Sequence, residues 1–202
     1  QRRPLSAFRI ARYPITHAQF QVFIDAGGYA DRRWWEGLAE CPEPAKASWA
    51  ISNHPRETIS WYEAVAYCRW LTIELRARGG LGADFEIRLP SEQEWEKAAR
   101  GTDGRKFPWG DFASDRANID ETWGNVGSYY LRQTSAVGLY PAGASSVGAL
   151  DMSGNASEWC LNQYAMSVAV NLGGKARRAV RGGSWSDEHG LASCTYRVHF
   201  PP

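Results

Sequence analysis

Asp151-Met152-Ser153-Gly154-Asn155-Ala156-Ser157-Glu158-Trp159 is the stretch from which the rest of the chain can be read. Gly154 frees the backbone to turn, and Asp151 and Glu158 stand too far apart for one helical face but suit a loop that folds back on itself. Such a loop can aim two carboxylates and the carbonyls of Gly154 and Ala156 at one point. That donor set suits calcium, which takes six to eight oxygens at about 2.3 to 2.6 Å. The plainer reading of the same residues is an Asx turn running into a strand, with Glu158 solvated.

Outward from this loop, the helical period is absent from residue 102 onward, and Gly, Pro, Asn and aromatic residues dominate. Loops and short strands are expected there. Asn118-Ile119-Asp120 with Gly124-Asn125 offers a second oxygen-rich turn, and residues 177–185 read as a strand bent by the Gly182-Gly183 pair. Upstream, residues 8–15 alternate apolar and polar until Pro14, which predicts a strand. Thr16 then caps a helix carrying Phe20, Phe23 and Ile24, ended by Gly27-Gly28. Residues 29–58 form a long loop whose aromatics must pack it. Ser60 and Glu63 make a capping box for the best helix, with Trp61, Ala64, Val65, Cys68, Leu71 and Leu75 as its apolar stripe and Gly79-Gly80 as its end. Phe85–Leu89 reads as a short strand, and Ser91 with Glu94 caps a third helix ended by Gly101. No period of 20 to 50 residues recurs, which excludes a solenoid or propeller.

Composition narrows the function. A chain of 202 residues with ten Trp, twenty Gly and a formal charge of +1 has a real core and no long basic run, so nucleic acid is not expected as a partner. No apolar stretch is long enough to insert in a membrane. The four cysteines lack Cys-x-x-Cys spacing, and Cys68 reads as a small core residue, which favours a cytoplasmic compartment. The four histidines show no zinc or iron spacing, no serine lies in a Gly-x-Ser-x-Gly elbow, and no Walker loop occurs. Cys194 lies between His189 and His199, but sequence proximity alone does not make a thiolate nucleophile. The opening Gln1-Arg2-Arg3, without Met, suggests a fragment of something longer, here a single domain over 1–202.

Five segments in order, Tyr13–Phe20, Ile59–Leu71, Arg88–Gly101, Gly154–Trp159 and Arg181–Trp185, resemble the formylglycine-generating enzyme (sulfatase-modifying factor) family. The resemblance implies an α+β, C-type lectin-like fold with two main helices, short antiparallel strands and extensive loops. It also implies structural calcium on the Asp151 side chain, the Gly154 and Ala156 carbonyls and the Glu158 side chain, with a second site starting at Asn118 and Ile119. Two further family strands, Phe-x-Met-Gly before the first helix and Gly-Phe-Arg at the end, are missing from the sequence.

Activity is a separate matter. The resemblance places copper(I) on two cysteines, two and seven positions after the aromatic of Gly-Gly-Ser-aromatic; those positions here are Asp187 and Ala192. A carboxylate and a methyl group cannot replace soft thiolates, so neither copper nor formylglycine formation is expected. Within the superfamily the chain looks most like the variable proteins of diversity-generating retroelements. The expected function is therefore a non-catalytic module that displays a diversified surface to an unknown protein or surface ligand, on Ser186, Asp187, Glu188, His189, Leu191, Ser193, Cys194, Tyr196, Val198, His199 and Phe200. The alternative is an oxidoreductase of the formylglycine-generating or sulfoxide-synthase type, in which an added helical domain supplies iron histidines. A sugar-binding lectin is disfavoured because Glu43-Pro44 is followed by Ala45.

Overall fold

The longest helix starts where a reciprocal cap satisfies its first free N–H groups. Ser60 Oγ accepts from the Glu63 N–H at 3.2 Å, the Glu63 carboxylate accepts from the Ser60 N–H at 2.7 Å, and α2 runs over Trp61–Ala77. Thr16 with Gln19 opens α1 (His17–Asp25) in the same way, and Ser91 with Glu94 opens α3 (Glu92–Arg100). The computed structural model of the chain describes residues 5–166 and 168–202; the Gln1-Arg2-Arg3 opening lies outside them. Three strands, β1 (Glu158–Gln163), β2 (Arg178–Arg181) and β3 (Val198–Phe200), form one antiparallel sheet in the order β1-β2-β3. Trp159 faces Val180 and Ala179 faces His199, with the β1–β2 register shifting between Trp159 and Gln163. The class is therefore α+β, with much of the remainder in loops.

Two clusters hold these elements together. Phe20, Phe23, Trp34, Trp35, Tyr67 and Trp70 pack α1 and the long loop onto α2, while Trp95, Ala98, Cys160, Ala179 and Cys194 pack α3 against the sheet. The long loop contains a 3-10 turn at Arg32–Trp35, and the Trp35 indole N–H donates to the Gly28 carbonyl at 2.9 Å. Its aromatics do pack it. Between α3, β2 and the chain's last segment lies a buried ion network: Arg181, 1% exposed, donates to Glu92, to Glu96 at 2.8 Å and to the Cys194 carbonyl at 2.6 Å. Arg178, equally enclosed, has no carboxylate partner among the described residues. Its guanidinium lies 3.8 Å from the Trp61 ring centroid and donates to the carbonyls of Leu161, Asn171 and Gly174.

Three expectations need correction. Residues 8–15 form no strand; hydrogen bonds leave the segment singly, from Leu150 N to Arg12 O and from Arg56 N to Ile15 O, so its alternation meets no partner strand. Phe85–Leu89 forms none either: the Thr72 hydroxyl of α2 accepts from the Ile87 N–H at 2.9 Å, so a helix side chain and not a partner strand meets this backbone. The α2 stripe is wider than one face: Tyr62, Ala66, Tyr67 and Trp70 are buried while Cys68, Leu71 and Leu75 are only half-buried, since the long loop, α1 and the sheet enclose the helix from several sides. The cysteines Cys41, Cys68, Cys160 and Cys194 are free thiols. No helix among the described residues is long and apolar enough to cross a membrane.

Candidate functional site

The Asp151 loop turns on three left-handed residues, Asp151 (φ 58°), Gly154 (φ 78°) and Asn155 (φ 64°), and is held from beneath by Gly154 N to Gly182 O and Asn155 N to Asn118 O, both 2.8 Å. Asp151 accepts from the Gly138 N–H at 2.6 Å, and Glu158 accepts from the Trp95 indole N–H at 2.6 Å. Burial raises both carboxyls, Glu158 to about 7, with the Asp151 charge adding to the effect on Glu158. Two enclosed carboxylates near one another, neither in an ion pair among the described residues, form a donor set that a cation would stabilise. Among the described residues, no backbone hydrogen bond occupies the Gly154 or Ala156 carbonyl. The chemistry of this loop fits calcium.

Asn118 is 2% exposed; its amide N–H donates to Gln133 O and Asn155 Oδ1, while its buried Oδ1 has no hydrogen-bond partner. A buried acceptor of this kind has the chemistry of a cation ligand. Ile119 is buried beside it against Ala117 and Ala192. Asp120, by contrast, makes an Asx turn, its carboxylate accepting from the Thr122 N–H at 2.9 Å.

The tail after Gly183 is pinned by its backbone. Trp185 N donates to Asn155 O, Asp120 N to Asp187 O, and Cys194 N to Lys106 O. Asp187 caps Ser184, accepting from its N–H and its hydroxyl, both at 2.8 Å. Ser186 and Phe200 are exposed, whereas Asp187, Glu188, His189, Leu191, Tyr196, Val198 and His199 are half-buried. Ser193 and Cys194 are interior side chains, so neither belongs to a contact surface. Burial pushes the Cys194 thiol up to about 12, which leaves it a core residue and not a nucleophile. At the two copper positions stand the capping carboxylate of Asp187 and the fully buried methyl of Ala192, a pair that does not fit copper(I).

One part of the surface is invisible in the sequence. The Trp185 ring meets Trp49 edge-on at 5.3 Å and stacks near Tyr130 at 6.1 Å, while the Arg132 guanidinium lies 5.4 Å from the Tyr130 ring. The rings come from three distant loops and form an aromatic corner beside Ser186. Only Trp185 carried a signal, as the aromatic of its Gly-Gly-Ser motif. Among the described residues no group of three His, Cys, Asp or Glu is placed to hold a metal ion.

Comparison with known proteins fits this architecture. The chain is 33% identical to hercynine oxygenase of Mycolicibacterium thermoresistibile over 89% of its length, and 29% identical to a formylglycine-generating enzyme of Mycobacterium tuberculosis over 78%. It spans 44% and 64% of those relatives, respectively. The solved structure of Treponema denticola variable protein 1 superposes with a TM-score of 0.62 at 22% identity, covering 94% of this chain and 77% of that one. With a fold in common with that protein and a sulfatase-modifying factor enzyme 1-like domain matched across residues 1–202, the chain belongs to the sulfatase-modifying factor family.

Proposed function

We propose that this chain is the substrate-binding part of an oxygenase of the hercynine-oxygenase kind, and that the aromatic corner of Trp49, Tyr130 and Trp185 with the open side chains of 186–200 receives the substrate. The likeness at 33% identity over 89% of the chain carries this reading, whereas the 22% likeness to the variable protein speaks for the fold alone. Hercynine is a betaine of histidine. Its quaternary ammonium has no N–H to donate, and aromatic faces are the side-chain surfaces that hold such a group. In this reading the redox centre belongs to the part of the hercynine oxygenases beyond the matched 44%, and no redox step is assigned to residues of this chain. Titrating the chain with hercynine while following tryptophan fluorescence tests it: saturable quenching is expected, with binding weakened about tenfold or more in Trp185→Ala, a loss of roughly 1.4 kcal/mol. Unchanged binding in that variant, or no saturable quenching at all, overturns the assignment.

The exposure of Ser186 and Phe200 supports a second reading, a module that presents a diversified 186–202 segment to an unknown protein or surface ligand. Natural variants differing in that segment and nowhere else are its distinguishing mark. For either reading we propose calcium as a structural ion held by Asp151, Gly154, Ala156 and Glu158, with Asn118 and Ile119 contributing to a second site; bound there, it would supply the positive charge that the enclosed carboxylates lack. Calcium at about a hundred times its dissociation constant is expected to add roughly 2.7 kcal/mol, or about 5 to 10 °C in Tm. Differential scanning calorimetry with and without chelator reads this, and Glu158→Gln, which keeps an acceptor for Trp95, should remove most of the rise.

A further inference from the structure

The aromatic corner carries a charge at each end. Its rings run in a row from Trp49 through Trp185 to Tyr130, and the Arg132 guanidinium ends the row over Tyr130, 5.4 Å from the ring centroid. At the other end the Glu57 carboxylate accepts from the Trp49 N–H at 3.1 Å and from the Thr58 hydroxyl. Arg132 is exposed and forms no ion pair among the described residues. Its backbone is left-handed, with φ 58°, a conformation disfavoured for a residue with a β-carbon. Such strain persists only where the surroundings impose it. Here the next three residues are each held from the interior: the Gln133 carbonyl by the Asn118 amide, the Thr134 hydroxyl by His54 Nδ1 and the Ser135 N–H by Asn155 Oδ1, all at 2.9 Å. Glycine would occupy position 132 without strain, and the exposed contact with Tyr130 is too weak to offset the strain by itself.

We propose that Arg132 binds the carboxylate of the ligand whose quaternary ammonium rests on Trp185 and Trp49, so that the corner selects betaines over simple ammonium ions. The proposal rests on the substrate-binding reading given above and names the residue that decides which ammonium compounds are accepted. In an amino-acid betaine the ammonium nitrogen and the carboxyl carbon share one carbon and lie about 2.5 Å apart. A site for such a molecule must receive opposite charges side by side. The row does this by its polarity: Glu57 makes the Trp49 end negative, which draws the ammonium, and Arg132 makes the Tyr130 end positive, which draws the carboxylate. The planar guanidinium can offer two parallel N–H donors to the two carboxylate oxygens, a match that a lysine ammonium lacks. Arg132 binds and orients the ligand and takes no part in making or breaking its bonds.

The test is isothermal titration calorimetry of the chain with three ligands. Hercynine carries both charges, N,N,N-trimethylhistamine keeps the ammonium and lacks the carboxylate, and imidazole-4-propionate keeps the carboxylate and lacks the ammonium. Hercynine is expected to bind about tenfold or more tightly than trimethylhistamine. In Arg132→Gly that preference should vanish, with hercynine falling to the affinity of trimethylhistamine and the latter unchanged. Arg132→Lys, which keeps the charge without the fork, should retain part of the preference. Because glycine relieves the left-handed position, the melting temperature of Arg132→Gly should hold or rise; a fall would mark Arg132 as structural and overturn the proposal. An undiminished preference in Arg132→Gly, or no preference in the native chain, overturns it as well. The two ideas fail separately: trimethylhistamine binding that is lost in Trp185→Ala, with hercynine binding untouched in Arg132→Gly, sinks the carboxylate assignment alone. Imidazole-4-propionate bound through Arg132, with no binding of trimethylhistamine, sinks the ammonium reading alone.

Discussion

Gly154 shows how little freedom a single position has. Its φ of 78° is one that side-chain-bearing residues rarely adopt, and a β-carbon there would stand 2.3 Å from the Asn118 carbonyl oxygen. That carbonyl also accepts the Asn155 N–H, so backing away would break the bond that holds the loop. Gly154→Ala is therefore expected to cost about 2 kcal/mol or more, from strain and steric conflict together, and chemical denaturation will read it as a lower midpoint at unchanged slope. The need for glycine here was legible, because a Gly between two acidic residues in a polar run signals a turn. What the turn packs against was not: Asn118 is far back in the chain, and nothing local to either residue encodes the meeting.

At the scale of elements, all three helix starts were readable because a capping box is a local code, written within four residues. The box of α3 has an additional partner. Glu94 accepts from Arg88 through both oxygens at 2.8 Å, and this bond, with the cap at Ser91, holds its carboxyl down at about 2 from an ordinary 4.5. A depressed carboxyl contributes stability that is complete above its unfolded value. It is lost as pH falls from about 4.5 toward 2. With the Arg88 side chain 40% exposed, screening reduces the contribution to about 1 to 2 kcal/mol. Glu94→Gln should accordingly flatten the fall in stability across that pH window, measured by urea unfolding at a series of pH values. The strands were less legible than the helices. Alternation at residues 8–15 states a preference, but a strand exists only when another lies beside it, and Phe85–Leu89 found the Thr72 hydroxyl instead.

For the molecule as a whole, the decisive contacts are those between parts distant in sequence. Arg181 joins α3 to the sheet and to the segment carrying Cys194, a role no composition or spacing could announce, since a lone arginine beside Gly-Gly looks like surface. Replacing it by Met is expected to cost about 3 kcal/mol: Glu96 loses its enclosed partner and the Cys194 carbonyl its donor, while Arg197 keeps Glu92 covered. A Tm lower by about 6 to 12 °C in calorimetry would be the corresponding result. The candidate site was half readable for the same reason. Trp185 stood in a motif, but Trp49 and Tyr130 reach it only through the fold.

The bonds that fix the path of residues 184–194 run largely through main-chain atoms, from Trp185 to Asn155, Asp120 to Asp187 and Cys194 to Lys106. Main-chain anchors are indifferent to which side chains the intervening positions carry. A lineage could exchange Ser186, Glu188 or Leu191 for other chemistries and inherit the same loop shape, so that preference for a new molecule can arise by ordinary drift, with no rebuilding of the scaffold beneath.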